Sequence, residues 1–218
     1  MNESGRVEAF SDGVFAIAIT LLILDVKKPL TTTGESLAHQ LTHQWPQYDA
    51  YVVSFLVIGI MWANHHQVFS FVARVDRTLL FLNLLLLMGV SALPWATSVV
   101  SSYLNQPKSG AQLAVALYGG FMVAHALTFT ALWWWLTRNG HLFDARVDAE
   151  RAKATRARFA LGTVVYPVLM ALSFVNALWT LALHGVVAIY YAFNQLHVPT
   201  KPVDEGESGP GPADLASL

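Results

Sequence analysis

Six apolar stretches, separated by polar ones, account for most of the chain. The first runs from Arg6 to Asp25. It opens on Arg6 and the triplet Phe10-Ser11-Asp12, followed by Gly13. It is then apolar from Val14 to Leu24 apart from Thr20, and closes on Asp25 and Lys27-Lys28. From Val7 to Val26 it has about the 20 residues a helix needs to cross a bilayer. A polar loop, Lys27 to Gln47, leads to a second segment, about Asp49 to Phe71, which contains WANHHQVF at 62–69. The third, about Thr78 to Ser101, holds Asn83, Gly89 and Pro94. The fourth, about Ala111 to Leu136, holds Gly119-Gly120, His125 and Trp133-Trp134-Trp135. A charged loop, Arg138 to Arg158, precedes a fifth segment, Phe159 to Val175, with Pro167 inside it. Asn176 marks the break before the sixth, Leu178 to Asn194. One long re-entrant hairpin is the other reading of these last two. The pattern predicts an all-α integral membrane protein with six transmembrane helices per subunit. Residues 1–197 form the membrane domain. The tail, 198–218, is rich in Pro, Gly and acid, a composition that predicts disorder.

At helical spacing Ile17, Leu21 and Leu24 share one face of the first segment, with Thr20 on its flank and Gly13 one turn before Ile17. If several copies met around an axis, that face would form an apolar constriction with a ring of hydroxyls beside it, a known way to gate and line a pore. Packing against lipid or neighbouring helices accounts for the same three aliphatics. Ser11 and Asp12, taken alone, read as an N-cap. Yet a helix serving only as an anchor needs no acid at each end and no hydroxyl within its apolar run. Polar groups at membrane depth are costly and usually face protein or a water-filled path.

Composition supports the membrane class. The 218 residues are 55% hydrophobic and 12% charged, with mean hydropathy +0.46, whereas a soluble domain is about a quarter charged. A net charge of −1 leaves no basic field for nucleic acid. The absence of cysteine excludes disulfides and thiol catalysis. Glu3 and Glu8 spoil the positive region of a cleaved signal.

Lysines and arginines divide unevenly between alternate loops. Arg6, Arg74, Arg77, the six between Arg138 and Arg158, and Lys201 make ten on one side; Lys27, Lys28 and Lys108 make three on the other. The positive-inside rule then puts both termini in the cytoplasm of a multi-pass cell-membrane protein. Trp45 and the Trp133–Trp135 run suit the interfacial aromatic belt.

His66, His125 and His184 read as packing or interface residues rather than sensors. The adjacent His65 and His66 point to different helix faces and have no carboxylate or cysteine cluster beside them, so no metal site is predicted. Gly119-Gly120 suits close helix packing. No nucleophilic triad, phosphate loop or paired carboxylate site emerges, so the chain does not read as an enzyme, and no cofactor is expected.

Arg6, Phe10, Ser11 and Asp12 spell RxxxFSD, and GVFAIAITLLILDV continues it. Trp62, His65 and Phe69 match WxxHxxxF on a second helix, and Asn83 and Pro94 fall at matching places on a third. Over about residues 6 to 195 the chain resembles the transmembrane protein 175 family, lysosomal-type potassium channels and their prokaryotic single-repeat relatives. The resemblance implies a homotetramer in membrane lipid, permeated by potassium ions, with a pore lined by helix 1 and no TVGYG filter; none occurs here. It implies Ile17 at the narrowest constriction, Leu21 and Leu24 at the next apolar layers, and Thr20 at a hydroxyl layer linked to potassium preference. Weak oxygen ligands suit potassium, which dehydrates more easily than sodium. The resemblance also implies a polar network of Arg6, Phe10, Ser11, Asp12, Trp62, His65 and Asn83 that holds helix 1 in place. A buried Asp12 would need a partner, either Arg6 or the Trp62 indole. A proton-permeable or weakly selective cation channel is the nearest alternative. A secondary transporter or a structural membrane protein is the alternative of another class; the lack of a second FSD-like repeat disfavours the transporter.

Overall fold

A computed structural model of the chain describes residues 3–29, 34–193 and 199–200. Those residues are almost wholly helical. Helix α1 (Glu3–Leu21) tightens into a 3₁₀ turn over Leu22–Asp25. A short α2 (Leu37–His43) lies in the stretch read from sequence as loop, with Ser36 capping it through the His39 N–H at 3.2 Å. Three long helices follow: α3 (Trp45–Phe69), α4 (Arg77–Tyr103) and α5 (Lys108–Arg138). The charged loop contains the single turns α6 (Ala149–Ala154) and α7 (Arg156–Phe159), and the chain continues through α8 (Gly162–Leu172) and α9 (Ala177–Phe193).

Among the described residues four helices are long and apolar enough to cross a membrane: Ser4–Asp25, Trp45–Phe69, Arg77–Tyr103 and Lys108–Arg138. The predicted fifth and sixth segments are shorter. Eleven residues of α8 rise only about 16 Å at 1.5 Å per residue, well under the roughly 30 Å hydrocarbon core. Helix α9 has 17 residues and reaches Phe193 at the edge of the described residues. Asn176 separates the two and caps α9 by accepting the Trp179 N–H at 3.1 Å. The segment 198–218, predicted to be disordered, lies outside the described residues except for Pro199 and Thr200. There the Pro199 carbonyl accepts the Asp148 N–H at 3.0 Å, and Thr200 bridges to Val147.

Helix α1 packs against α3 and α4, α5 against α4 and α8, and α9 against α3. The core is aliphatic and aromatic, with Ile58, Leu86, Val90, Leu93, Met122 and Leu132 among its most buried side chains. One polar clamp crosses it. The Thr97 hydroxyl of α4 lies 2.8 Å from Ser54 of α3, which donates to the Tyr118 hydroxyl of α5 at 3.4 Å.

The arginine-rich end is a fitted collar. Asp76 caps α4 by accepting the Leu79 N–H at 2.7 Å and takes the Trp135 indole N–H on both carboxylate oxygens, at 3.2 and 3.0 Å. The loop after α5 pairs with the loop after α3: Ala73 and Arg74 donate to the Leu142 carbonyl, and Asp144 donates to that of Phe71. Beside it Arg146 holds the Asp144 carboxyl below the usual carboxylate range. The tryptophan run does not form one belt. Trp133 is 1% exposed, stacks on Phe159 at 3.9 Å and donates to Thr155. Trp134 points outward under Arg138 and Arg156. Consecutive helical residues sit about 100° apart, so three in a row cannot share a face.

The paired glycines differ in the same way. A methyl group at Gly119 would stand 3.1 Å from Met170 Cβ and 3.2 Å from its Cα, whereas one at Gly120 would meet nothing within 4 Å. Gly119 therefore sets the separation of α5 and α8. Gly119→Val should destabilise the protein by about 1–3 kcal/mol, the usual range for overpacking, and Gly120→Val by much less. Melting curves of the two purified variants in one detergent test this; equal melting temperatures would contradict it.

Candidate ion path along the first helix

Two opposite stripes divide α1. Ser4, Ser11, Phe15, Ala18 and Leu22 are buried, and from Ser11 onward they recur at the 4-3-4 spacing of a single helix face. The other stripe, Phe10, Gly13, Ile17, Thr20, Leu21 and Leu24, is exposed in the single chain. Ile17 is 62% and Leu24 75% exposed. In a 3₁₀ turn residues three apart eclipse, so the tightening after Leu21 sets Leu24 over Leu21 instead of letting it drift around the axis. The Thr20 hydroxyl lies 2.9 Å from the carbonyls of both Ala16 and Ile17. Its hydrogen is taken by the helix backbone, which leaves the oxygen lone pairs facing outward as acceptors.

The buried stripe is fastened by polar contacts. The Ser11 hydroxyl donates to the Val7 carbonyl at 2.8 Å and accepts from Asn83 Nδ2 of α4 at 2.9 Å. Asn83 Oδ1 faces His65 Nε2 of α3 at 2.8 Å. With the amide so oriented, His65 donates from Nε2. Phe69 stacks on the His65 ring at 4.3 Å, and Phe15 of α1 leans on it at 5.4 Å. Ser11, Asn83 and His65 are each at most 1% exposed. The chain thus joins three helices with no water needed at Ser11 or Asn83.

Two further contacts lie nearer the surface. Trp62 Nε1 donates to Asp12 Oδ1 at 2.9 Å. One turn away, His66 Nδ1 lies 3.0 Å from Glu8 Oε1, and the Trp62 and His66 rings stack at 5.7 Å. The structure therefore brings Ser11, Asn83 and His65 into one chain and Asp12 with Trp62 into a second contact. The partner of Asp12 is Trp62, not Arg6, and Asp12 is half-buried rather than enclosed. Arg6 is exposed and makes no hydrogen bond among the described residues. With Phe10, Asp76, Arg77 and Leu80 it lines a depression between α1 and α4. Sequence reasoning missed the Glu8–His66 pair, although its signal was present. Acids at 8 and 12 face ring donors at 66 and 62, one turn apart on two helices that run in opposite directions. Among the described residues no group of three or more His, Asp or Glu is placed to hold a metal.

Residues 6–94 match the family model described as endosomal/lysosomal potassium channel TMEM175. A potassium channel of Streptomyces collinus is 64% identical over 201 residues, covering 92% of this chain and 97% of that one. The crystal structure of a lysosomal potassium-selective channel TMEM175 homolog from Chamaesiphon minutus matches with a TM-score of 0.79 at 38% identity, over 89% of this chain and 99% of that one. The endosomal/lysosomal proton channel TMEM175 of Mus musculus is 41% identical over 110 residues, which is 47% of this chain but 22% of the mouse protein. With 64% and 38% identity over nearly the full length of these two bacterial relatives, the chain belongs to the TMEM175 family.

Proposed function

We propose that four copies of the chain form a potassium-selective channel in the cell membrane, with α1 of each copy lining a central pore. The observation that carries this reading is the exposed stripe on α1. A helix tied on one side by Ser11–Asn83–His65 leaves Ile17, Leu21 and Leu24 uncovered on the other. Four-fold symmetry around that stripe makes Ile17 the constriction and Leu21 and Leu24 two further apolar layers, which gate by excluding water. Thr20 presents hydroxyl oxygens with their hydrogens already engaged, so a ring of them offers acceptors and no repelling donors to a cation. The contacts Asp12–Trp62 and Glu8–His66 hold the cytoplasmic half of the helix against α3. The ten-to-three distribution of lysine and arginine supports a cytoplasmic position for both termini. Proton permeation is the second reading, favoured by the mouse relative named as a proton channel, which aligns with 47% of this chain.

Two measurements test the pore face. Ile17→Asn should ease wetting of the constriction and raise conductance. Thr20→Val should leave current while moving the reversal potential between potassium and sodium toward zero selectivity. A tenfold preference is about 1.4 kcal/mol, a few tenths from each of four hydroxyls. If neither conductance nor reversal potential changed in planar bilayers, this face would not line the pore.

Orientation is tested by cysteines introduced into the cysteine-free chain. Ser109→Cys should react with an impermeant thiol reagent on whole cells and Ala145→Cys only after lysis. The opposite pattern inverts the topology.

Asn83→Ala leaves the Ser11 hydroxyl without its donor and the buried His65 without its acceptor. A buried polar group left unpaired costs about 1–3 kcal/mol, so the variant should melt several degrees lower. Channels that remain should show altered gating, because α1 has lost its rotational stop. Wild-type melting together with wild-type open probability would remove the polar chain from the mechanism.

A further inference from the structure

Between α3, α5, α8 and α9 lies a partly enclosed cavity of about 60 Å³ to which α1 contributes no residue. Its walls are mainly apolar, with Val57, Met61, Met122, Phe129 and Ala188 among them. Gly162 forms part of its wall, packed so closely that a methyl group there would stand 3.2 Å from Ala126 Cβ and 3.3 Å from the Tyr166 ring. Two polar side chains reach this space without partners. Asn64 is 8% exposed, and its Oδ1 is fully buried with no hydrogen bond; the same holds for His125 Nδ1, whose ring stacks on Phe129 at 6.0 Å. Native proteins satisfy nearly all such groups.

The lining restricts what the cavity suits. A single water between Asn64 and His125 would satisfy both, but it would leave the rest of the space, lined mainly by methyl, thioether and ring surface, unfilled. A hydrocarbon would suit the walls and leave both polar groups unpaired. A molecule with one hydroxyl on a short carbon chain meets both demands. Its hydroxyl would donate to Asn64 Oδ1 and accept from His125 Nδ1–H, and its carbons would rest on Met61, Met122 and Phe129. We propose that this cavity is a binding site for a small neutral amphiphile of the alcohol class, separate from the ion path and independent of the channel reading.

The test uses the purified full chain in detergent and two fluorinated probes followed by ¹⁹F NMR line broadening. 3,3,3-Trifluoropropan-1-ol carries the hydroxyl; 1-chloro-3,3,3-trifluoropropane replaces it with chlorine at similar size. The alcohol should broaden saturably and bind at least about fivefold more tightly than the chloro compound, the fold-change expected from one neutral hydrogen bond. Asn64→Leu should erase that difference, and Ala188→Leu, which fills the cavity, should abolish saturable binding. Elution volume and circular dichroism check that both variants fold, and the comparison of the two probes on the unaltered chain needs no variant. An alcohol that broadens only in proportion to its concentration, or no more tightly than the chloro compound, overturns the proposal. So does saturable binding that survives in a folded Ala188→Leu protein.

Discussion

The hydrogen-bonded chain from Ser11 through Asn83 to His65 fixes the rotation of α1 about its own axis. Apolar packing alone would hold α1 poorly in one azimuth, because most of its length is aliphatic on every side and lipid is as apolar as leucine. A hydroxyl and an amide at membrane depth change that. Away from water each needs a partner, and Ser11 reaches Asn83 in one orientation only. Rotation by one residue, about 100°, would break the Ser11–Asn83 bond and leave the Asn83 amide unpaired in the middle of the bundle. The exposure of Ile17, Thr20 and Leu24 follows from that constraint rather than from any preference of their own.

Other contacts reinforce it at graded depth. Asp12–Trp62 and Glu8–His66 act nearer the surface, where a polar contact contributes little but a second and third point of attachment resist tilting. The Ser54–Thr97–Tyr118 clamp ties α3, α4 and α5 together on the far side of the bundle. At the arginine-rich end, Asp76 serves two elements at once, capping α4 and receiving the Trp135 indole of α5. With Gly119 bringing α8 against α5, the helices around α1 form a body against which α1 is positioned.

Several of these features were legible residue by residue. The four long spans appear in the sequence because apolar runs of more than 20 residues have few other uses, and Asn176 marked the start of α9 because a side-chain acceptor is needed there. Of the residues in RxxxFSD and WxxHxxxF, Ser11, Asp12, Trp62 and His65 lie in the contacts between α1, α3 and α4, whereas Arg6 and Phe10 are exposed. The tryptophan run misled because adjacency along a helix separates side chains around it. Trp133 became core, Trp134 an outward platform for arginines and Trp135 a donor to Asp76. Arg6 was grouped with Asp12 by its place in the motif, yet no hydrogen bond joins them.

By itself, the sequence determined the class of the protein, its four long spans and the stripe of α1 that stays apolar, since these depend only on composition and on a period of 3.6 residues. Tertiary structure decided which partner each polar group takes: Trp62 for Asp12, Asn83 for Ser11, Glu8 for His66, and none among the described residues for Asn64 and His125. Such choices depend on where three or four helices cross, to within the few tenths of an ångström that separate a hydrogen bond from a miss. Periodicity along one helix carries no record of that distance.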